Sequence, residues 1–325
     1  MEFTKDVLKI DPAEEIERVS AFMKKTILVD LRKKGAVVGL SGGIDSALSS
    51  ALCVEALGPE KVIGVILPER DSSTLSEKYA LLHAKQLGIV TETVDISTTL
   101  ETFGVYKKRN HIVQKLFPDF DERSWKYKIT LPEGLLDKNR LNVFSLVVEL
   151  PDGSQRKKRF PLKDYLEMVA ATNMKQRTRM IYLYYFAERH NFAEVGTTNR
   201  TEARQGFFVK YGDGGVDLEP LAHLYKSQVY MLANHLKVPK EILERPPSPD
   251  TYTAEVSDTE FYFGVPFDIL DPFLWANENG IERDKICEVL SLTHDQYNRL
   301  KHDVDRKARM SWHFMQTPPT LFSSG

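Results

Sequence analysis

The chain has 325 residues, of which 42% are hydrophobic and 28% are charged, an ordinary composition for a folded protein in water. Its formal net charge of −2 gives no electrostatic footprint for nucleic acid, and no apolar run is long enough to span a bilayer, so we expect neither nucleic acid nor a membrane as a partner. Cys53 and Cys287 lack the spacing of a disulfide or metal site. The N-terminus lacks the apolar core of a signal peptide. Together these two observations predict a cytoplasmic protein.

The N-terminal third of the chain predicts helices that alternate with buried parallel strands. Asp11 and Pro12 start a helix whose apolar face runs from Ile16 to Leu31. Strand patterns at residues 35–38, 61–67 and 90–96 then alternate with helical patterns at 47–57 and 76–87. Because crossovers between parallel strands are right-handed, this order predicts an α/β fold with a doubly wound parallel sheet, in a single domain over residues 1–325.

The loop after the first strand, residues 39–46, reads Gly-Leu-Ser-Gly-Gly-Ile-Asp-Ser. Backbone N–H groups and a helix N-terminus converge there, and such a point binds phosphate. Asp45 would repel a phosphate unless a divalent cation lay between them, so we interpret it as a Mg²⁺ ligand. No Lys-Ser/Thr pair follows the glycines, so this is not a Walker loop. The alternative is a tight turn with an N-capping serine.

Residues 107–163 depart from the helix–strand alternation. A β-rich pattern at 126–131 and 142–150, and a turn at 151–154, predict an inserted antiparallel hairpin unit. The basic run at 156–159 follows that turn. It favours a solvated hairpin arm over a contact with an anionic partner.

The remaining chain carries polar residues to the same edge of the predicted sheet. A helix at 174–186 begins with two arginines, and a strand at 192–196 ends at Thr197. A glycine-rich loop follows at 206–217, and then a helix with Lys226 in its first turn. Arg70 follows the second strand, so it lies either near a nucleotide or in a solvated loop. We expect residues 250–325 to form a C-terminal extension that closes the site.

These motifs resemble those of the NAD⁺ synthetases, members of the N-type ATP pyrophosphatases with an adenine nucleotide alpha hydrolase-like fold. The loop Ser-Gly-Gly-Ile-Asp-Ser at 41–46 is shared by several pyrophosphatase families, whereas Lys-Tyr-Gly-Asp-Gly-Gly at 210–215 is much more specific. In chain order, the matching stretches lie at 41–46, 175–180, 196–202, 206–217, 224–226, 246–248 and 257–260.

The resemblance implies a two-step amidation in which deamido-NAD is adenylated by ATP, with loss of pyrophosphate, and ammonia then displaces AMP. It implies that Asp45 and Glu202 bind Mg²⁺. The candidate catalytic residues are Asp45, Asp213 and Lys226. ATP would meet Gly39, Leu40, Ser41, Gly42, Gly43, Ile44, Asp45, Ser46, Arg70, Thr197, Lys226 and Ser248. Deamido-NAD would meet Arg177, Lys210, Asp217 and His313.

Two departures from the family pattern leave the acceptor open. Phe314 replaces the lysine that follows the terminal histidine, and the hairpin unit is absent from the common short members. A different carboxylate acceptor, or a nucleotide-binding regulator without turnover, therefore stays as an alternative. These 325 residues contain no glutaminase motif. We therefore expect the ammonia to be free or to come from a separate glutaminase. The family is usually a homodimer, and the apolar helix at 180–186 suits either an interface or a core.

Overall fold

The computed structural model describes residues 2–132, 134–137, 143–249 and 251–321. Its strands are β1 Ala36–Gly39, β2 Val62–Ile66, β3 Val90–Thr93, β4 Lys126–Thr130, β5 Ser145–Glu149, β6 Gln155–Arg159 and β7 Ala193–Val195. Its α-helices are α1 Pro12–Lys25, α2 Ile44–Leu57, α3 Thr74–Leu87, α4 Ser97–Thr102, α5 Val105–Leu116, α6 Leu162–His190, α7 Arg200–Gln205, α8 Lys226–His235, α9 Lys240–Leu243, α10 Phe267–Glu278, α11 Arg283–Leu290 and α12 His294–Ser311. Short π-helical turns cover Thr26–Asp30 and Thr259–Phe263.

A parallel sheet with the strand order β3-β2-β1-β7 forms the centre of the fold. The chain adds β2 and β3 on one side of β1 and later returns to place β7 on the other side. In open α/β sheets, ligands bind beyond the carboxyl ends of the strands at such a reversal of order. The doubly wound sheet that the sequence predicts is confirmed.

Alternate residues of β1 pack into different hydrophobic cores. Ala36 and Val38 face the core built with α1, α2 and α8, whereas Val37 faces the core built with α5 and α6. All three residues are fully buried, as a parallel sheet covered by helices on both faces requires. Leu31, at the end of the predicted N-terminal helical face, is exposed, because the π-helical turn after α1 shifts the helical period.

The inserted unit is a three-stranded antiparallel sheet with the order β4-β5-β6. The central strand buries Leu146 and Val148 in a core shared with α5 and α6. The first ten residues of the predicted insert, 107–116, belong to α5, whose buried residues Tyr106, Arg109, Ile112 and Val113 recur at helical spacing. The basic run forms the edge strand β6. The predicted strand start at Asn142 lies outside the described residues.

The C-terminal helices α10, α11 and α12 build a separate core together with Phe3 and Leu8. This core lies against α7 and α8, so it reaches the carboxyl edge of the parallel sheet. Within the described residues, none of the helices combines the length and apolarity needed to cross a bilayer.

Candidate active site

The loop between β1 and α2, termed the cradle (residues 39–46), is tied together by its own hydroxyl groups. Ser46 Oγ donates to the Gly43 carbonyl (2.9 Å), and the backbone N–H of Ser41 donates to Ser46 Oγ (3.3 Å). Gly42 has φ +72°, and a Cβ there would lie 2.3 Å from a carbonyl oxygen of α3. Glycine is therefore required at this position, and the backbone amides stay exposed at the N-terminus of α2, where a phosphate is stabilised.

Two cavities open beside the cradle. The larger, about 820 Å³, is bounded by the cradle, the glycine loop (residues 206–217), the C-terminal segment and the antiparallel sheet. The smaller, about 170 Å³, lies over the carboxyl ends of β1 and β2 and has apolar walls from Leu40, Val65 and Met180. Ser41 borders both cavities, so the two meet at the cradle.

A buried lysine lies between two carboxylates at the edge of the larger cavity. Lys226 Nζ is 2.5 Å from Asp45 Oδ2 and 3.2 Å from Glu202 Oε1, and the lysine side chain is only 1% exposed. Asp258 borders the same cavity, and its Oδ1 is buried without a hydrogen-bond partner among the described residues. We term these four residues the cradle cluster.

The turn after β7 holds the two acids together. Asn199 Oδ1 accepts the Glu202 N–H (3.0 Å), and Glu202 Oε2 accepts the Asn199 N–H (3.3 Å), which is a capping box at the start of α7. Asn199 Nδ2 also donates to Asp45 Oδ1 (2.8 Å). One helix cap therefore sets the spacing between the acid of the cradle and the acid of α7.

The backbone at Lys226 is fixed from the C-terminal core. Its N–H donates to Thr201 Oγ1 (3.0 Å), and the Thr201 hydroxyl donates to Asp271 of α10 (2.6 Å). The next residue, Ser227, donates its N–H to the other oxygen of Asp271 (2.8 Å). The first turn of α8 is thereby held beneath the cradle.

Burial and charge shift the pKa values within the cradle cluster. Burial and the neighbouring Asp45 raise the pKa of Glu202 to about 8. Burial raises the pKa of Asp258 to about 6, although Lys226 works against it. Burial disfavours the charged form of Lys226, but Asp45 and Glu202 outweigh this effect and hold its pKa well above the usual range. A charged ammonium group thus lies beside carboxyl groups that titrate near neutral pH.

Asp213 of the glycine loop borders both cavities. Its carboxylate accepts the Val209 N–H (2.7 Å), and burial raises its pKa to about 6 against the effect of such backbone hydrogen bonds. The loop is anchored to the C-terminal segment, because Lys210 Nζ donates to the carbonyls of His313 and Gln316 (both 3.0 Å). Asp213 is therefore held where the two cavities meet.

Most of the predicted site residues border one of the two cavities: Gly39, Leu40, Ser41, Gly43, Ile44, Asp45, Ser46, Arg177, Thr197, Glu202, Lys210, Asp213 and Ser248. Gly42 contributes the backbone turn of the cradle. The side chain of Lys226 lies behind the two acids that it contacts. The fold thus gathers residues from five separate stretches of sequence around one space.

Gly42 and Lys226 do not line either cavity themselves, and three further predicted residues, Arg70, Asp217 and His313, border neither cavity. Arg70 packs over the ring of Tyr106, with its guanidinium carbon 3.8 Å from the ring centroid. Asp217 accepts the N–H of a β7 residue (2.9 Å). His313 packs against Phe314, and Phe314 itself borders the larger cavity. The proposed ligand contacts of these three residues stay predictions, as do those of the residues that border the cavities.

A second buried lysine, Lys175 of α6, also lies between two acids. Its Nζ is 2.7 Å from Glu69 Oε1 and 2.8 Å from Asp71 Oδ2, and it donates to a backbone carbonyl of the C-terminal segment (3.0 Å). Arg109 of α5 pairs with Asp71 as well. Burial opposes the charge on Asp71, but Lys175 and Arg109 outweigh it and lower its pKa. This Lys175 cluster (Glu69, Asp71, Arg109 and Lys175) fixes the loop after β2 to α5 and α6.

Sequence reasoning missed Asp258 and Arg245 as cavity residues. A signal existed for Asp258, because it lies in the Ser-Asp-Thr-Glu stretch at 257–260 that supports the family resemblance. No signal marked Arg245, which borders the larger cavity and donates to Ser76 Oγ (3.0 Å). An arginine ahead of a proline-rich turn is typical of a solvated loop.

The parallel sheet reverses its strand order at a glycine- and serine-rich cradle, and an ammonium group and acids lie beneath that cradle. These features are typical of a nucleotide-binding α/β protein. The model of the NAD synthase family matches residues 15–119 and 139–311. The chain therefore belongs to the NAD synthase family. It is 44% identical over 319 residues to the NH₃-dependent NAD⁺ synthetase of Rhizobium meliloti, which covers 98% of this chain and 94% of that protein.

Solved structures share the fold. NMN synthetase from Francisella tularensis superposes with a TM-score of 0.66 at 24% identity, covering 97% of this chain and 100% of that one. The NH₃-dependent NAD synthetase from Campylobacter jejuni, in complex with nitrate, gives a TM-score of 0.63 at 22% identity, covering 96% and 100%. At sequence identities below 25%, this structural similarity shows only that the proteins share a fold.

Proposed function

We propose that the protein is an ammonia-dependent NAD⁺ synthetase that uses ATP to amidate deamido-NAD. The observation that carries the proposal is the Lys226 ammonium group between Asp45 and Glu202, directly beneath a backbone cradle for phosphates. A protein that only bound a nucleotide would need no such cluster facing a second, larger cavity. The identity to curated NH₃-dependent synthetases supports the same reaction.

In the first step, a carboxylate oxygen of the nicotinate ring attacks the α-phosphorus of ATP. The bond from that phosphorus to the oxygen bridging to the β-phosphate breaks, and pyrophosphate leaves. The cradle amides and the hydroxyls of Ser41 and Ser46 hold the leaving phosphates, while the smaller apolar cavity accepts the adenosine. The chain thus acts mainly by positioning the reactants and stabilising charge.

The residues present fit a bound Mg²⁺. The described residues hold no group of three or more acidic, histidine or cysteine side chains arranged for a metal ion. Mg²⁺, however, is usually held by one or two carboxylates together with substrate phosphates. Asp45 and Glu202 supply two such carboxylates, and Lys226 keeps them together. When bound there, Mg²⁺ would neutralise part of the phosphate charge.

In the second step, ammonia attacks the carbonyl carbon of the adenylate, and the bond to AMP breaks. The attacking nitrogen must lose a proton as the amide forms. Asp213 and Asp258 border the cavity, and each has a pKa of about 6, so both are mostly ionised at neutral pH and can accept that proton.

The proposal is tested by following pyrophosphate release while one component at a time is left out. We expect continued release to require ATP, Mg²⁺, deamido-NAD and ammonia together. Without ammonia, the adenylation step alone should release no more than about one pyrophosphate per site. Release with other carboxylates but not with deamido-NAD would replace the proposed acceptor. Nucleotide binding without turnover on any carboxylate would make the protein a regulator.

The assignment of Asp45 is tested by Asp45→Asn. Loss of the carboxylate weakens Mg²⁺ binding and therefore charge neutralisation at the phosphates, so we expect turnover to fall by about 100-fold or more. The far-UV circular dichroism spectrum should stay that of the wild type. Asp30→Asn, at an exposed aspartate that pairs with Lys25, is the matched control. Full activity in the Asp45 variant would remove this residue from the site.

We also propose a homodimer that uses α6. Exposed apolar side chains lie along this helix, at Leu162, Leu166, Ile181 and Tyr185. Arg177, between them, borders the larger cavity, so an interface here would adjoin the site. Sedimentation should give twice the chain mass, and Ile181→Arg should reduce it to that of one chain.

A further inference from the structure

One end of the inserted sheet borders the larger cavity. The residues concerned are Leu131, Val143, Phe144, Arg159 and Phe160. The strand register pairs Thr130 with Ser145 and Ser145 with Arg159, so these residues share the end of the sheet opposite the hairpin turn at 151–154. The insert is therefore part of the wall of the same cavity as the cradle.

Aromatic packing joins this end of the sheet to the glycine loop. Phe160 and Phe144 both contact Tyr165 of α6, at ring-centroid distances of 6.0 Å and 4.7 Å. Phe144 then contacts Phe261 (6.1 Å), and Phe261 contacts Phe207 of the glycine loop (5.9 Å). A continuous row of rings thus lines the path from the insert toward Asp213.

The two arginines of β6 differ in what they contact. Arg156 forms a bidentate ion pair with Asp119, in which Nη1 and Nη2 each donate to one carboxylate oxygen at 2.7 Å. The charge of Arg156 is therefore paired within the insert. The guanidinium of Arg159 forms no hydrogen bond or ion pair with any described residue, and it borders the cavity. Lys157 lies on the same face of the strand as Arg159 but borders neither cavity.

If the carboxylate of the acceptor lies at the cradle, the rest of the acceptor molecule must extend away from the cradle. For a dinucleotide, the part that extends away carries a pyrophosphate with negative charge. An aromatic wall suits the heterocycle and ribose, and a guanidinium group can hold phosphate oxygens with two parallel hydrogen bonds. The aromatic wall and Arg159, whose guanidinium has no partner among the described residues, supply the chemistry that such an acceptor requires.

We propose that the inserted sheet forms the acceptor side of the site and that Arg159 binds the pyrophosphate of the dinucleotide substrate. This inference rests on the proposed function and adds a specificity-determining residue to it. The insert then selects an acceptor with a phosphate chain over a simple carboxylate.

The test measures initial rates for wild type, Arg159→Ala, Arg159→Lys and Arg159→Glu, varying deamido-NAD at saturating ATP and then the reverse. We expect Arg159→Ala to raise the KM for deamido-NAD about tenfold, with kcat and the KM for ATP within about twofold of wild type. Arg159→Lys should recover part of the loss, and Arg159→Glu should lose more. Added salt should narrow the difference between wild type and Arg159→Ala, because screening weakens an exposed charge contact.

Lys157→Ala is the matched control, since it removes the same charge two residues away on the same strand face. An unchanged KM for deamido-NAD in Arg159→Glu would overturn the inference. An equal rise in Lys157→Ala would also overturn it, because it would indicate general attraction by a basic strand. An equal rise in the KM for ATP would do so too. A wild-type protein without turnover on deamido-NAD would instead defeat the proposed function itself.

Discussion

Lys226 and Lys175 are both buried between an aspartate and a glutamate, yet their surroundings differ. The acids around Lys175, Glu69 and Asp71, are 0% and 3% exposed. The acids around Lys226, Asp45 and Glu202, are 19% and 14% exposed and border the larger cavity. The Lys175 cluster is closed to ligands, whereas the cradle cluster is open to them.

The comparison shows that residue types alone do not separate a structural ion cluster from a catalytic one. In the Lys175 cluster the two cations outweigh burial and lower the pKa of Asp71, and the two acids are balanced by Lys175 and Arg109. Arg109 Nε also has no hydrogen-bond partner among the described residues, but Arg109 borders neither cavity. In the open cluster the pKa of Glu202 is raised to about 8, and Asp258 keeps an oxygen without a partner. Incomplete compensation beside a cavity is the feature that indicates a ligand.

The largest effect on stability is expected from Lys175→Met. Removal of the ammonium group leaves Glu69 and Asp71 buried with only part of their compensation, so we expect the free energy of unfolding to fall by about 3–5 kcal/mol. Urea denaturation measures it. Lys157→Met, at an exposed lysine, should stay within about 0.5 kcal/mol of wild type. A change below about 1 kcal/mol in Lys175→Met would mean that this cluster does not stabilise the fold.

The corresponding change in the open cluster, Lys226→Met, should act on turnover instead. We expect a loss of about 100-fold or more in kcat, because a positive charge beneath the phosphates is gone. The loss of unfolding free energy should be smaller than in Lys175→Met, since Glu202 can take up a proton and both acids reach solvent. Equal destabilisation by the two substitutions would contradict the distinction between the clusters.

The open cluster should also make stability depend on pH. The pKa of Glu202 in the ligand-free protein, about 8, lies above its ordinary value of 4.5, so the folded state binds the proton more tightly. The stability that protonated Glu202 contributes is fully present below pH 4.5, its ordinary pKa, and is lost as the pH rises through its pKa in the folded protein, about 8. The melting temperature of the wild type should therefore fall more steeply across this window than that of Glu202→Gln. Parallel curves would show that Glu202 does not titrate there.

The smallest effect is expected from Tyr106→Phe, at a tyrosine that contacts the Lys175 cluster. The Tyr106 hydroxyl donates to Glu69 Oε2 (2.7 Å), and Glu69 keeps its contact with Lys175 when that hydroxyl is removed. We expect a loss of about 1 kcal/mol in unfolding free energy, by urea denaturation. The ring that packs against Arg70 remains, so the KM for ATP should not change. A rise in that KM would indicate that the closed cluster also serves nucleotide binding.

Local sequence patterns predicted the parallel sheet because β1 and β2 are short apolar runs between helical stretches, and the edge strand β3 contains the β-branched residues Val90, Thr91 and Thr93. The cradle was predictable for the same reason, since its eight residues are contiguous and their chemistry depends on local backbone geometry. The predicted insert begins within α5. This helix has only 12 residues, and Lys107, Lys108 and Arg109 interrupt its apolar pattern, so the pattern did not indicate a helix.

The Lys175 cluster could not be predicted from local patterns. Lys175 and Glu69 are 106 residues apart in sequence, and only the tertiary fold brings them together. The same holds for Asp258 in the cradle cluster, whose neighbours come from α2, α7 and α8. Family resemblance supplied residue roles for the cradle cluster, whereas nothing in a single sequence indicated that Arg159 would border the cavity.

The hydrogen bonds from Thr201 and Ser227 to Asp271 have a consequence for synthesis of the protein. The cradle and its two acids are complete once residue 226 has been made, yet the carboxylate that fixes the start of α8 lies 45 residues further along the chain. A growing polypeptide therefore carries the cradle, both acids and the lysine before Asp271 can hold the lysine in register. Competence to bind nucleotide should therefore appear late in synthesis, when the C-terminal helices dock.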